Sequence, residues 1–373
     1  MKRSLAGLNK KNAVNLRRKE KMMQLSKETI ELIEDIERRI DPETEDDFKK
    51  QWEDFLYDRF DGDIFVPKRK KLSPPAVKIS GININDAIND YDLMMRAQMT
   101  MVSGALNREV NNLAVRANYG TGIMTSIFGA EVFMMPRENN TLPTTKSLND
   151  TEKLCAIVDK GAPDIMNGFG RNVFEFGELC REVFAKYPKI NKYVTVYHPD
   201  TQGPLDILEL LWGGEMFYAM YDEPELVHDA MKLVTDTYKS VMDKWYEMFP
   251  KKTDLNPHWA NLWHRGAILI RSDSAMNISP EQYSEFSAPY DSHLLEYYGG
   301  GAIHFCGRGD HYIDIMSQFP LLYGINMSQP EYNDMEKIYQ STVDKGIKIL
   351  AFRKDQALND ISREGGFHHN LSI

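Results

Sequence analysis

The sequence predicts an α/β fold, a (β/α)8 TIM barrel with an N-terminal helical extension, on three observations. Short apolar or alternating runs take turns with longer stretches of helical spacing, the pattern of parallel strands joined by crossover helices. Polar and charged residues gather just past the apolar runs, where a barrel carries its site. Finally, Gly120-Thr121-Gly122 follows a strand-like run without the third glycine of a dinucleotide-binding turn, and no lysine-type phosphate loop occurs, which disfavours an open doubly wound sheet. A length of 373 residues suits one barrel plus an extension.

The extension is assigned to residues 1–75. It is highly charged, and Met22, Leu25, Ile30, Ile33 and Ile36 fall at helical spacing before Asp41-Pro42 closes the run. Lys68-Arg69-Lys70-Lys71 reads as a solvated loop, and Ser73-Pro74-Pro75 ends the segment because consecutive prolines exclude helix. The barrel is assigned to residues 76–373, with strands expected at 113–117, 193–197, 267–270, 302–305, 321–325 and 347–352. Between them, Glu223-Pro224-Glu225 opens a helix with a proline and acids in its first turn, and Ser279-Pro280-Glu281-Gln282 opens another with a serine N-cap. The stretch Gly365-Gly366-Phe367-His368-His369-Asn370-Leu371 is expected to be a surface tail, the alternative being that His368 and His369 reach the pocket.

Composition excludes several function classes. A formal net charge of -10 argues against a nucleic-acid partner, and no run approaches the roughly 20 apolar residues of a membrane span. Three cysteines are too few for the disulfide framework of a secreted domain, so a reducing, cytoplasmic location is expected, with Cys155 and Cys180 as core residues.

The strand-end residues supply the candidate site. His304 and Cys306 stand at i and i+2, on one face of a strand, and an imidazole nitrogen and a thiolate are ordinary zinc ligands; equally, the pair could be a buried cysteine and a capping histidine. Asp200, in a turn fixed by Pro199 and Pro204, could be a ligand, a general acid or base, a substrate anchor or an Asx-turn. Arg271-Ser272-Asp273 reads as an internal Arg–Asp pair or as site residues, and Tyr119 as a phenol at a pocket rim or as packing. Arg116, Gln202, Arg308 and Arg353 follow other runs and would bind substrate.

Leu211-Trp212-Gly213-Gly214-Glu215-Met216, Asp222-Glu223-Pro224-Glu225-Leu226-Val227-His228, Asp273, Ser279-Pro280-Glu281-Gln282-Tyr283, Pro289-Tyr290 and Ile303-His304-Phe305-Cys306-Gly307 together resemble the uroporphyrinogen decarboxylase superfamily, over roughly residues 82–352. The resemblance implies a (β/α)8 barrel, often a homodimer, and one of two chemistries: metal-free decarboxylation of uroporphyrinogen, or zinc-dependent methyl transfer between a corrinoid and a small acceptor or donor.

The decarboxylases share an arginine-rich N-terminal segment that grips many carboxylates. Phe65-Val66-Pro67-Lys68-Arg69-Lys70 lacks it, which favours a methyltransferase with Zn2+, the corrinoid being brought by a partner protein. That branch uses a His-x-Cys pair and a later cysteine. The last strand has no cysteine, so Asp310 is assigned as the third ligand, with Asp273 and His311 as alternatives and an incomplete set as the remaining one. On the same reading Asp200, Tyr119 and Asp273 are catalytic, and decarboxylation of uroporphyrinogen or a related carboxylate is the alternative. A barrel that serves only as a binding scaffold is the reading outside enzymology.

Overall fold

Two capped helices start the described part of the chain. Ser26 accepts from the Thr29 N–H at the head of Lys27–Arg39, and Asp41 accepts from Thr44 N–H at the head of Pro42–Leu56, with Pro42 in the first turn. The structure, a computed structural model, describes residues 25–373 apart from 79 and 252, so Met22 lies outside it. Among these residues no helix is long and apolar enough to cross a membrane.

The strands are β1 (Ile64–Phe65), β2 (Ala114–Val115), β3 (Val132–Phe133), β4 (Thr144–Thr145), β5 (Thr195–Val196), β6 (Leu255–His258), β7 (Leu262–Arg265), β8 (Ile268–Arg271), β9 (Gly301–Phe305), β10 (Leu322–Met327), β11 (Lys348–Ile349) and β12 (Leu371–Ser372). Six form an all-parallel sheet in the order β1-β12-β11-β10-β9-β8, β2 and β5 form a parallel pair, and β3–β4 and β6–β7 are antiparallel hairpins. Helices Pro280–Phe286 and Ala288–Tyr298 cross from β8 to β9, and Met335–Ser341 lies between β10 and β11, the right grammar for parallel pairing. Ser279 completes the expected capping box with Gln282.

The two parallel sheets are not joined by a strand ladder among the described residues, so a closed eight-stranded ring is not drawn by backbone pairing. At the β8 edge, the Leu269 N–H donates to Nε2 of His198, 3.1 Å away, rather than to a strand carbonyl. Gly203 lies so close to β8 that a Cβ on it would stand 2.2 Å from the Arg271 carbonyl oxygen.

Alternation along the strands sorts two cores. Ile268, Ile270, Ile303, Phe305 and Ile325 pack into the large core shared with the helices. Leu269 and Ala302 point the other way, joining Phe48, Trp52, Phe55 and Phe65 of the N-terminal segment and Leu255 and Leu262 of the β6–β7 hairpin. The sheet's inner face is therefore filled by a hairpin and by the helix Pro42–Leu56. The N-terminal segment is thus built into the sheet and its core, with β1 paired to β12.

Three expectations need correction. The C-terminal residues are no surface tail: β12 sits between β11 and β1, and Leu371 is fully buried. Arg69 is not solvated like Lys68, Lys70 and Lys71 but buried, held by both oxygens of Glu45 and donating to the carbonyls of Ala105, Arg108 and Asn111. A buried guanidinium of this kind demands five donors' worth of partners, which a composition count cannot show. Cys180 is buried as expected, whereas Cys155 is only half-buried.

The hairpin brings buried imidazoles together. Burial above all, with Arg271 beside it, holds His198 down to about 3; burial holds His264 down to about 4, and burial with His198 and Arg271 holds His258 well below the usual value. A group whose folded state resists protonation contributes stability that is complete above its unfolded value near 6.5 and lost as pH falls towards the folded value. Between pH 7 and 5 each such imidazole should remove roughly 2 kcal/mol, because the unfolded chain binds a proton that the folded chain refuses. Urea unfolding at the two pH values measures this, and the loss is expected to be smaller by about that amount in His264→Gln. Deleting the buried Leu371 side chain of β12, in Leu371→Ala, is expected to cost about 2–5 kcal/mol in the same assay, whereas a cost below about 1 kcal/mol would mean that β12 is dispensable.

Candidate metal and substrate site

In-register pairing sets three side chains abreast. Arg271 at the end of β8 is opposite His304 on β9, and His304 is opposite Asn326 on β10. All three share the parity of the inward residues Leu269 and Ala302, or lie opposite the outward Ile325, so they meet on the inner face.

Asn326 fixes the imidazole. Its Nδ2 donates to the Leu350 carbonyl at 2.6 Å, which leaves Oδ1 to accept from Nδ1–H of His304 at 2.6 Å. Nε2 of His304 therefore carries the lone pair. It faces Sγ of Cys306 at 3.3 Å and Oδ1 of Asp273 at 3.5 Å. Burial keeps this ring neutral, against the pull of Asp273 and Asn326. Asp273 is held in turn: its backbone N–H and that of Ser274 donate to Asp206, and its Oδ1 accepts from the Cys306 N–H at 2.7 Å. Burial, then the charge of Asp273, pushes the Asp206 carboxyl up.

Asp273, His304 and Cys306 have ligand atoms within 4.8 Å of one another. Tetrahedral bonds of ~2.0–2.3 Å to zinc would set N and S about 3.5 Å apart and N and O about 3.4 Å apart. The observed edges of 3.5 and 3.3 Å match, so the donor set fits zinc in chemistry and spacing. The Asp273 side chain is 39% exposed, which leaves the triad approachable from one side, as a site with an open fourth position requires. Burial pushes the Cys306 thiol up to about 11, and it donates to Ser328 Oγ at 3.3 Å.

A second cluster adjoins the triad. Asp200 binds Nη1 of Arg116 at 3.2 Å through one oxygen and Nε of Arg271 at 3.1 Å through the other. Burial opposes its charge, but the two guanidiniums outweigh that and hold it below the usual carboxylate range. Gln202, at φ 61°, turns its amide onto the same carboxylate. The cluster carries two cations against one anion, and Nη1 of Arg271 is buried without a protein partner. Trp259 connects the halves: its ring lies 5.2 Å from the Arg271 guanidinium and meets the His304 ring edge-on at 5.0 Å.

Of the sequence-derived candidates, the structure gathers Arg116, Asp200, Gln202, Arg271, Asp273, His304 and Cys306. It does not bring Asp310 to the ligand pair. That carboxylate is occupied by Nε of Arg308 at 2.6 Å and by the Asp334 N–H, and His311 is turned to the Ile278 carbonyl. Arg308 therefore serves Asp310, and Arg353 is exposed between Glu331 and Asp355. Tyr119 is not at a rim but fully buried against Phe169. Asp273 does not form the expected pair with Arg271, which goes to Asp200. Asn326, Asp206 and Trp259 are further contributors. Asn326 is signalled by its position beside a histidine once strand register is known, whereas Asp206 resembles any acid in a helix's first turn.

The chain is similar to a solved structure described as a methyltransferase from Methanosarcina mazei, with a TM-score of 0.58 and 14% identity over 87% of this chain and 91% of that one. No protein-family model and no curated protein matches the sequence. At this identity the likeness shows a shared α/β fold across nearly the whole length of both chains.

Proposed function

We propose that the protein is a zinc-dependent methyltransferase that moves a methyl group between a corrinoid and a small acceptor or donor. The observation that carries this reading is the convergence of Asp273, His304 and Cys306 with the lone pair of His304 Nε2 fixed toward the other two donors. The methyltransferase of like fold supports it.

In this reading the triad holds the ion, and a zinc ion so held supplies Lewis-acid activation, lowering the pKa of a bound thiol to give a thiolate nucleophile. The corrinoid is brought by a partner protein. The chain's own residues do the rest. Asn326 keeps the imidazole in one tautomer and orientation. The backbone N–H groups of residues 273 and 274 are tied to Asp206, which anchors the loop that carries the Asp273 carboxylate. Arg116 and Arg271, one cation in excess over Asp200, orient an anionic group of the substrate beside the triad. Trp259 covers both clusters and narrows access for water.

The same excess cation favours a second reading, metal-free decarboxylation of uroporphyrinogen or a related carboxylate, in which Arg116 and Arg271 bind the carboxylates and Asp200 is the acid–base group. Elemental analysis of untagged protein separates the two. About one zinc per chain is expected, lost in His304→Ala, Cys306→Ser and Asp273→Ala and retained in Asp310→Asn. A native protein without zinc that releases carbon dioxide from a porphyrinogen would replace the first reading with the second.

A further inference from the structure

The turn between β6 and β7, residues 259–261, brings a tryptophan to the candidate site in a conformation that does not suit it. Trp259 has a φ of 51°, a left-handed backbone that glycine and asparagine adopt readily and a bulky side chain rarely does. Such an outlier persists only where its surroundings over-determine it. Asn112, buried just ahead of β2, does so. Its backbone N–H donates to the Ala260 carbonyl at 2.6 Å, and its Nδ2 donates to the carbonyls of Leu262 at 2.8 Å and His258 at 3.4 Å. Its Oδ1 accepts from Trp263 Nε1 at 2.6 Å. One residue therefore clasps the turn at both ends and in its middle.

What the turn holds in place is the indole, between the Arg271 guanidinium and the His304 ring. The indole is itself only partly buried, so it stands between these groups and solvent. Exposure across the site is correspondingly uneven. The side chains of Arg271, Asp200 and His304 keep 4%, 10% and 10% of their surface, against 39% for Asp273. The residue after Cys306 is covered too: a Cβ on Gly307 would stand 2.4 Å from the sulfur of Met276, a side chain that is 42% exposed. Methionine is unbranched and yields to what presses on it, whereas a ring whose backbone is clasped does not. A turn shaped by folding alone would carry glycine or asparagine at this position. The strain is kept at a residue that touches a candidate ligand and a cation.

We propose that Trp259 is a specificity-determining residue of this site, a fixed wall that limits the width of any substrate reaching Asp273, His304 and Cys306. Asn112 is its positioning residue. The proposal deepens the functional reading above and rests on it for the identity of the reacting centre. The wall itself is tested without zinc and without methyl transfer, so a failure here is distinct from a failure of that reading.

The full chain, with a chelator present throughout, is treated with N-methylmaleimide and with N-(1-pyrenyl)maleimide, which share one reacting group and differ in width. Peptide mass spectrometry gives the rate at each cysteine. Half-buried Cys155 supplies the intrinsic ratio of the two reagents, and fully buried Cys180, in the larger core, reports opening of the whole chain. In the native protein the preference for the narrow reagent is expected to be about tenfold or more greater at Cys306 than at Cys155. In Trp259→Gly the two cysteines are expected to agree within about threefold, with Cys180 still unreactive, while Trp259→Phe keeps the native preference. If Trp259→Gly does not fold, Trp259→Asn, which also suits a left-handed turn, takes its place. The proposal is overturned by a native Cys306 that the narrow reagent does not reach or that shows no greater preference than Cys155. A preference that survives Trp259→Gly overturns it as well. So does Cys180 reacting alongside Cys306, since the tryptophan would then be holding the core together and not screening the site.

Discussion

Parallel register between β8, β9 and β10 is the constraint on which the site depends. Because Arg271, His304 and Asn326 are paired residue for residue, one strand supplies a cation, the next an imidazole and the third the group that sets the imidazole's tautomer. A slip of one residue would turn His304 into the helix-packed core and bring Ile303 or Phe305 inward. The apolar alternation of Ile268, Ile270, Ile303 and Phe305 against the outer helices is what forbids that slip. The chemistry of the inner face is thus secured by hydrophobic burial on the outer one.

The electrostatics follow from depth. Cations at the inner face are both guanidiniums, which keep their charge in any protein environment, whereas burial holds the three imidazoles nearby neutral, with Arg271 adding to the effect at His198 and His258. Asp200 stays ionised for the converse reason, being flanked by both guanidiniums. The arrangement leaves one uncompensated positive charge beside a triad whose histidine is kept neutral by burial and whose thiol is pushed up to about 11.

Much of this was legible in the sequence. The strand-end rule found Arg116, Asp200, Arg271, Asp273, His304 and Cys306 because each stands within a few residues of an apolar run, and the runs themselves form strands where expected. What was not legible depended on pairing between distant segments. Asp273 and Asp310 are both acids near a strand end. Only the fold shows that the loop after β8 lies over Cys306 while Asp310 is spoken for by Arg308 and Asp334. Leu371 and Ser372 make a two-residue strand too short to leave a period, and Arg69 looked like its exposed neighbours because a basic run conceals which member turns inward.

The hairpin explains why the inner face is not an ordinary barrel interior. In a filled barrel, alternate strands contribute branched side chains that meet at the axis. Here the inward positions of β8 and β9 offer Leu269 and Ala302, and the space is taken by Leu255 and Leu262 of β6–β7 and by the aromatic side chains of the helix Pro42–Leu56. An inserted hairpin has polar backbone to satisfy, and Asn112 does part of this, donating to the carbonyls of His258 and Leu262 while accepting from Trp263 Nε1. The insertion also delivers Trp259, held at φ 51°, to the rings of His304 and Arg271. A side chain in that left-handed conformation is tolerated only where its surroundings fix it. The element that fills the interior is therefore also the element that covers the site, and core packing and site geometry cannot be altered separately at residues 255–265.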